Sequence, residues 1–205
     1  MHYFFLIENG HFCDKIVPTL AAAWSAQTFA SVLKLCREKG SDSGSFSQLP
    51  PDSFLFEIAN RSAAGVQPFH RGLWRRLVGE ILLSSASEMP EIETPLETFA
   101  VMLGEQLAEM RENFSPIQQS IFGSRDLVFG SYYYRPEFAG WNDSTDVQRL
   151  ANWLSQVQPD QWSADLLTGD DPEDDLLFAQ EWFPALVEMY RRAAERDYVV
   201  IGEQL

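Results

Sequence analysis

Residues 174–201 read DDLLFAQEWFPALVEMYRRAAERDYVVI, and this stretch decides the fold. Apolar residues recur in it every three or four positions, which predicts a helix that buries one face. The predicted buried face consists of Leu177, Phe178, Trp182, Leu186, Met189, Tyr190 and Ala193. Pro184 lies inside this pattern and predicts a kink, or a restart of the helix near Phe183. The last four residues are β-branched or aromatic, so we expect the helix to be followed by a buried strand.

The closing strand needs a neighbour, and the start of the chain supplies the best candidate. Residues 2–7 read HYFFLI, an apolar and aromatic run that is typical of a buried strand. We expect this segment to pair with the strand predicted at 198–202, and we predict shorter strands at 54–59 and 126–130. The predicted fold class is therefore α+β, a helix-rich single domain with a small sheet that includes the N- and C-terminal strands.

Length and composition predict one folded domain across residues 1–205. Hydrophobic residues make up 45% of the chain and aromatic residues 13%, which is typical of a globular protein with a sizeable core. Residues 40–51 are rich in Gly, Ser, Asp and Pro, so we expect a flexible loop there.

Two segments carry helix-start signals. Residues 94–97 read TPLE, which combines an N-cap hydroxyl, a proline at the first helical position and a glutamate three residues after the cap. Apolar residues continue from there at helical spacing to Met110, so we expect a long helix. Residues 115–118 read SPIQ, which repeats the signal and predicts a short helix that ends at Gly123.

The chain is strongly acidic, with a formal net charge of −15 and a pI near 4.5. Phosphate backbones and anionic lipid surfaces repel such a molecule, so we expect no nucleic-acid partner and no membrane partner. No apolar run reaches the roughly 18 residues that a membrane span needs. The N-terminal residues lack the features of a targeting peptide, and we therefore expect a cytoplasmic protein.

The search for catalytic and metal-binding motifs identifies no catalytic residue. The chain has no Walker loop, no dinucleotide fingerprint, no nucleophile elbow and no zinc-protease helix. His11 and Cys13 lack the second ligand pair that would indicate a zinc site, so we predict no metal and no cofactor. We expect Cys13 and Cys36 to be buried, reduced and not paired with each other. Six acids in residues 165–175 do not fit a calcium loop, and they favour a solvated helix start instead.

The densest aromatic stretch is RDLVFGSYYYRPEFAGW at 125–141. Its glycines and proline predict a loop, and Tyr, Trp and Arg are enriched at binding hot spots. We therefore predict a binding site formed by Tyr132, Tyr133, Tyr134, Arg135 and Trp141. The alternative is that these rings close one end of the core and have no binding role.

Arg135 distinguishes these interpretations. It follows three tyrosines and precedes a proline, so its guanidinium can project from the aromatic cluster or stack on it. In that case Arg135→Ala should leave the melting temperature almost unchanged. If Arg135 instead forms a buried pair with a carboxylate, we expect its removal to cost about 3 kcal/mol or more.

We predict that this protein is a protein-binding module for a basic partner, which contacts it through 132–141 or through the acidic stretch 165–175. An immunity-type protein that neutralises a basic toxin is one concrete form. The alternative is a small-molecule enzyme with a pocket beside the 132–141 aromatic loop. A deep closed pocket with convergent polar groups favours the enzyme, whereas an exposed aromatic patch in acidic surroundings favours the binder. Assembly into a homo-oligomer is left open.

The order of parts from about Ser115 onward provides a further comparison. A proline-started short helix is followed by FGSYYYRPEF at 129–138, PDQW at 159–162, an acidic loop, YRRAA at 190–194 and an apolar strand. This order resembles the YfbM-like bacterial proteins of unknown function. Ser131 replaces the proline that follows the glycine in that family, and the family's upstream tryptophan-histidine-leucine segment is missing. The resemblance implies an α+β fold and brings no established activity.

Overall fold

The structure is a computed structural model, and it describes residues 1–29, 31–32, 57, 61 and 70–204. The loop predicted at 40–51 lies outside these residues. Of the strand predicted at 54–59 only Glu57 is described, and it is helical.

Contacts divide the chain into two compact units. The sheet unit comprises Met1–Asn9, Ala86–Leu127 and Arg135–Leu205. The helical unit comprises Gly10–Ser85 and Val128–Tyr134. The prediction that residues 1–205 form one domain stays a prediction.

The main sheet confirms the predicted pairing of the two chain ends. Its strands follow the order β2-β1-β7-β6-β3, all antiparallel, and β4 and β5 form a separate hairpin. The bounds are β1 His2–Glu8, β2 Glu91–Ile92, β3 Arg125–Asp126, β4 Val128–Phe129, β5 Tyr132–Tyr133, β6 Ala139–Asn142 and β7 Tyr198–Gln204. Phe5 of β1 lies opposite Ile201 of β7, and the register continues along both strands. The single strand predicted at 126–130 is wrong, because β3 and β4 belong to different sheets.

Helices occupy more of the described chain than strands, which confirms the helix-rich α+β fold. Their bounds are α1 Asn9–His11, α2 Val17–Ala26, α3 Arg71–Ser85, α4 Leu96–Leu103, α5 Pro116–Phe122, α6 Ser144–Leu154 and α7 Pro172–Glu195. A π-helical segment lies at Phe12–Ile16, and 3-10 turns lie at Arg111–Asn113, Pro159–Gln161 and Ala164–Leu166. In the sheet unit, α4, α5, α6 and α7 share one core with Phe4, Leu6 and Val200 of the sheet.

The closing helix α7 is longer and more continuous than predicted. It runs without a break through Pro184, so the restart near Phe183 is wrong. Its buried face matches the predicted stripe from Leu186 onward. Leu177 and Phe178 were predicted to be buried, yet they are 62% and 42% exposed. The reason is that the buried face of α7 begins only at Ala179, so the first two turns project beyond the core.

The two helix-start signals have different outcomes. Ser115 forms the predicted capping box with Gln118 and starts α5. The capping box at Thr94 is wrong, because α4 begins at Leu96 and its N-cap makes no side-chain hydrogen bond. The Thr94 hydroxyl is instead hydrogen-bonded to Nδ1 of His2 on β1.

The long helix predicted from the Thr94 signal to Met110 is also wrong at its C-terminal end. Gly104 adopts a left-handed conformation with φ of 66° and ends α4 after Leu103. The apolar residues that would have continued the stripe lie beyond the helix, where Leu107 and Met110 are 43% and 58% exposed.

The C-terminal end of α5 is buried against the sheet. The backbone of α5 approaches so closely that a side chain at Gly202 would collide with the Ile121 carbonyl, and one at Gly140 would collide with the Phe122 carbonyl. Tyr190 is fully buried, and its hydroxyl donates to the Ser120 carbonyl at 2.9 Å. Burial raises the pKa of Tyr190 far above its usual value, so this hydroxyl stays protonated and remains a donor.

Replacement of Tyr190 by Phe should therefore destabilise the protein. The substitution keeps the ring but leaves the Ser120 carbonyl without its donor, and we expect a loss of about 1–3 kcal/mol in the free energy of unfolding. Urea denaturation measures this loss. Tyr198→Phe is the matched control, because Tyr198 is only half-buried and should change stability by less than about 0.5 kcal/mol. Equal effects of the two substitutions would contradict the role of the Tyr190 hydroxyl.

His2 should make the fold sensitive to acid. Burial lowers its pKa from 6.5 to about 4, and the positively charged N-terminus contributes. Between these values the unfolded chain binds a proton that the folded protein does not bind. The stability linked to neutral His2 is therefore fully present above pH 6.5, and it is lost as the pH falls from 6.5 towards 4.

Between about pH 7.5 and about pH 5, we expect the free energy of unfolding of wild type to fall by about 2 kcal/mol more than that of His2→Asn. Urea denaturation at each pH measures the difference. His70 is exposed, so His70→Asn should follow the wild-type curve. Parallel curves for wild type and His2→Asn would disprove the assignment.

Candidate functional site

The aromatic stretch 125–141 is more regular than the predicted loop. It contains β3, then the β4–β5 hairpin, a turn at 135–138 and finally β6. Gly130 has a positive φ of 66° at the tip of the hairpin, a conformation that favours glycine. The hairpin belongs to the helical unit, and the segments on either side of it belong to the sheet unit.

The three tyrosines have different environments. Tyr132 and Tyr134 are 3% and 4% exposed, whereas Tyr133 is 53% exposed. The Tyr132 ring lies 4.5 Å from the Trp24 ring and 6.1 Å from the Trp74 ring, measured between centroids. Burial raises the pKa of Tyr132, although nearby arginines oppose the shift. Tyr132 and Tyr134 thus pack in the core of the helical unit, as the alternative interpretation expected.

Arg135 and Trp141 lie in the sheet unit and have structural partners there. The Arg135 guanidinium forms an ion pair with Glu203 of β7, whose side chain is only 6% exposed. Trp141 donates its indole N–H to the Asp126 carbonyl at 3.2 Å. Arg135 therefore forms a buried pair rather than projecting from the aromatic cluster. The five predicted residues are divided between two units, and their binding role stays a prediction.

A cleft of about 600 Å³ lies in the sheet unit beside the turn at 135–138. Its lining consists of Ala108, Glu109, Met110, Arg111, Glu112, Phe114, Gln118, Phe122, Asp126, Pro136, Glu137 and Gln204. The segment 108–114 that forms one wall follows the left-handed Gly104, which ends α4. Gln118 holds this wall in place, because its side-chain amide bonds both the N–H and the carbonyl of Ala108.

Arg111 is the most constrained side chain of the cleft. Its Nε donates to Asp126 Oδ1 at 2.8 Å, and its Nη1 donates to the carbonyls of Phe122 and Gly123. Its Nη2 donates to the carbonyl of Pro136 at 3.1 Å. The guanidinium also lies over the Phe114 ring, 5.4 Å from its centroid. The donors of Arg111 are committed to the protein, so this cation is not available to hold an anionic ligand.

The remaining charge of the cleft is negative. Glu109, Glu112 and Glu137 are exposed, and within the described residues none of them forms an ion pair. Met110 beside them is 58% exposed, and Phe114 and Phe122 are half-buried. The cleft therefore combines exposed carboxylates with the apolar side chains of Met110, Phe114 and Phe122.

Sequence reasoning missed this cleft. Its central residue, Arg111, falls in the segment that the apolar spacing assigned to a helix and the turn after it. The available signal was the pair of acids on either side of Arg111, but acids are frequent throughout this chain.

The described residues contain no group of three or more His, Cys, Asp or Glu that could hold a metal ion. Cys13 is exposed, which corrects the prediction of a buried thiol, because it lies on the outer side of the Phe12–Ile16 turn. Cys36 lies outside the described residues. Among the helices that the structure describes, none is long and apolar enough to cross a membrane.

Comparisons with known proteins provide no assignment. No family model matches the chain, and neither the curated proteins nor the solved structures that were searched contain a match. The resemblance to the YfbM-like proteins therefore stays a prediction.

The Arg135–Glu203 pair should be important for stability. Arg135→Ala removes the guanidinium that pairs with the buried Glu203 carboxylate, and we expect a loss of about 3 kcal/mol or more in the free energy of unfolding. Chemical denaturation of each variant measures the loss. Arg191→Ala is the control, because that side chain is 53% exposed and its ion pairs contribute about 1 kcal/mol or less. A double variant Arg135→Ala/Glu203→Gln should recover part of the loss. No recovery would contradict the pair.

Proposed function

We propose that this protein is an acidic protein-binding module whose cleft around Arg111 receives a basic segment of a partner protein. The observation that carries the proposal is the cleft itself. Its lining has three exposed carboxylates, Glu109, Glu112 and Glu137, without ion pairs among the described residues, and it also includes apolar side chains. Its cation is already bound to backbone carbonyls and Asp126.

The chemistry of the cleft suits an arginine or lysine side chain. Both residues combine an apolar stem with a cationic end, so the stem can contact Phe114 and Phe122 while the end meets an exposed carboxylate. Phe114 lines the cleft although the Arg111 guanidinium lies over its ring, 5.4 Å from the centroid.

The overall charge supports the same class of partner. A molecule of net charge −15 attracts a basic protein from a distance and speeds their association. An immunity-type protein that neutralises a basic toxin in the cytoplasm is the concrete form that we propose. Membership of the YfbM-like proteins stays a prediction, and assembly into a homo-oligomer stays open.

The second candidate is a small-molecule enzyme that uses the same cleft. Its volume of about 600 Å³ favours this candidate, since it lies within the range of small-molecule pockets. The described residues that line the cleft include no His, Cys, Lys, Ser, Thr or Tyr, so acid–base chemistry among them would fall to the carboxylates. The partners already held by Arg111 and Gln118 also leave few polar groups to orient a substrate. We therefore favour the binder.

A basic peptide tests the proposal. The triple variant Glu109→Gln/Glu112→Gln/Glu137→Gln keeps the shape of the cleft and removes the charges of its exposed carboxylates. We expect it to bind fluorescein-labelled nona-arginine about tenfold more weakly than wild type, or about 1.4 kcal/mol, by fluorescence anisotropy at about 0.15 M salt.

A second triple variant separates the cleft from the overall charge. Glu8→Gln/Glu97→Gln/Asp160→Asn makes the same change in net charge at exposed positions outside the cleft. We expect it to weaken binding by less than about threefold, because exposed charges away from the contact are screened. If the two triple variants weaken binding equally, the cleft is not the binding site.

A further inference from the structure

The first two turns of α7 expose two large apolar side chains that lie outside the core of the sheet unit. Leu177 is 62% exposed and Phe178 is 42% exposed. The Phe178 ring contacts the half-buried Trp182 edge-on, with 6.4 Å between centroids. Leu166, which is 58% exposed, lies on the Ala164–Leu166 turn that packs against α7. We call these four residues the α7 surface.

The position of this surface follows from the core and not from chance exposure. The core of the sheet unit buries α7 from Ala179 onward, through residues such as Phe183 and Leu186. Asp171 caps the helix, accepting from the Asp174 N–H, so the projecting turns are properly formed. A regular helical face with adjacent large apolar side chains is the geometry against which a second helix packs.

The charges around the α7 surface indicate which kind of partner can bind it. Residues 150–190 contain nine Asp and Glu and no Lys, Arg or His. Six of these acids lie at 165–175, immediately before and within the first turn of α7. An apolar surface with acids on its border repels an acidic or anionic surface and attracts a basic one.

We propose that the α7 surface is a docking site for a basic amphipathic helix of a partner protein. The apolar stripe of that helix packs on Leu177 and Phe178, and its Arg and Lys residues face the acids at 165–175. The proposal does not depend on the cleft, since the two surfaces share no residue. A second copy of this chain is disfavoured as the occupant, because two molecules of net charge −15 repel each other.

A designed peptide pair tests the proposal. One peptide of about 18 residues, five helical turns, has leucines on one face and arginines on the other. The second has the same composition in an order without a helical stripe. We expect wild type to bind the amphipathic peptide at least about tenfold more tightly in fluorescence anisotropy at about 0.15 M salt. Equal affinities would overturn the proposal, because charge alone would then explain binding.

Variants locate the site. Leu177→Ser/Phe178→Ser should weaken binding of the amphipathic peptide about tenfold or more. Leu83→Ser/Val101→Ser is the matched control, since these residues are 47% and 44% exposed elsewhere on helices, and it should stay within about threefold of wild type. Circular dichroism and melting curves confirm that both variants fold. Binding by Leu177→Ser/Phe178→Ser at wild-type affinity would overturn the proposal.

Two further measurements separate this inference from its competitors. The cleft variant Glu109→Gln/Glu112→Gln/Glu137→Gln should retain binding of the amphipathic peptide, and loss of that binding would assign the peptide to the cleft. Analytical ultracentrifugation of the free wild-type protein should detect no self-association through the α7 surface. Self-association of that kind would be lost in Leu177→Ser/Phe178→Ser. Such an association would make a second copy the occupant and would overturn the proposal.

Discussion

The sheet unit depends on one constraint, that the buried carbonyls at the C-terminal end of α5 must receive hydrogen bonds. A helix leaves its last carbonyls without intrahelical partners, and burial makes each unsatisfied carbonyl costly. Here the partners come from distant parts of the chain. Asn142 donates to the carbonyl of Gln119, Tyr190 to that of Ser120 and Arg111 to that of Phe122. Hydrogen bonds to the last carbonyls of this short helix thereby connect α7, β6 and a wall of the cleft.

The parts of the fold that the sequence predicted are those in which local pattern and burial agree. The pairing of β1 with β7 could be predicted because each is an apolar run that needs a buried neighbour. The buried face of α7 from Leu186 onward could be predicted from the periodicity of its apolar residues. The errors arise where tertiary contacts decide. Apolar spacing continued α4 past Gly104, and it could not show that the core ends before Leu177 and Phe178. A stripe reports that a face is apolar but not how far the opposing surface extends.

The candidate site was less predictable for a physical reason. A dense aromatic stretch indicated binding, but Tyr132 and Tyr134 are buried and Arg135 is paired with Glu203. The role of Arg111 depends on the backbone carbonyls of Phe122, Gly123 and Pro136. Every residue has a backbone carbonyl, so the residue types at these positions do not predict the bonds. Net charge, in contrast, is a sum over the sequence. It favours a basic partner, which stays a prediction, and it indicates no surface.

The central position of β7 has a consequence for how the protein is made. The sheet places β7 between β1 and β6, although β7 follows every other strand in chain order. At a ribosomal rate of about 5–20 residues per second, β1 leaves the ribosome on the order of ten seconds or more before its main partner exists. During that interval Phe4, Phe5 and Leu6 have one unpaired strand edge and no β7 to cover it. Formation of the main sheet therefore waits until residues 198–204 have been synthesised, and until then β1 presents an unpaired edge that can associate with other chains.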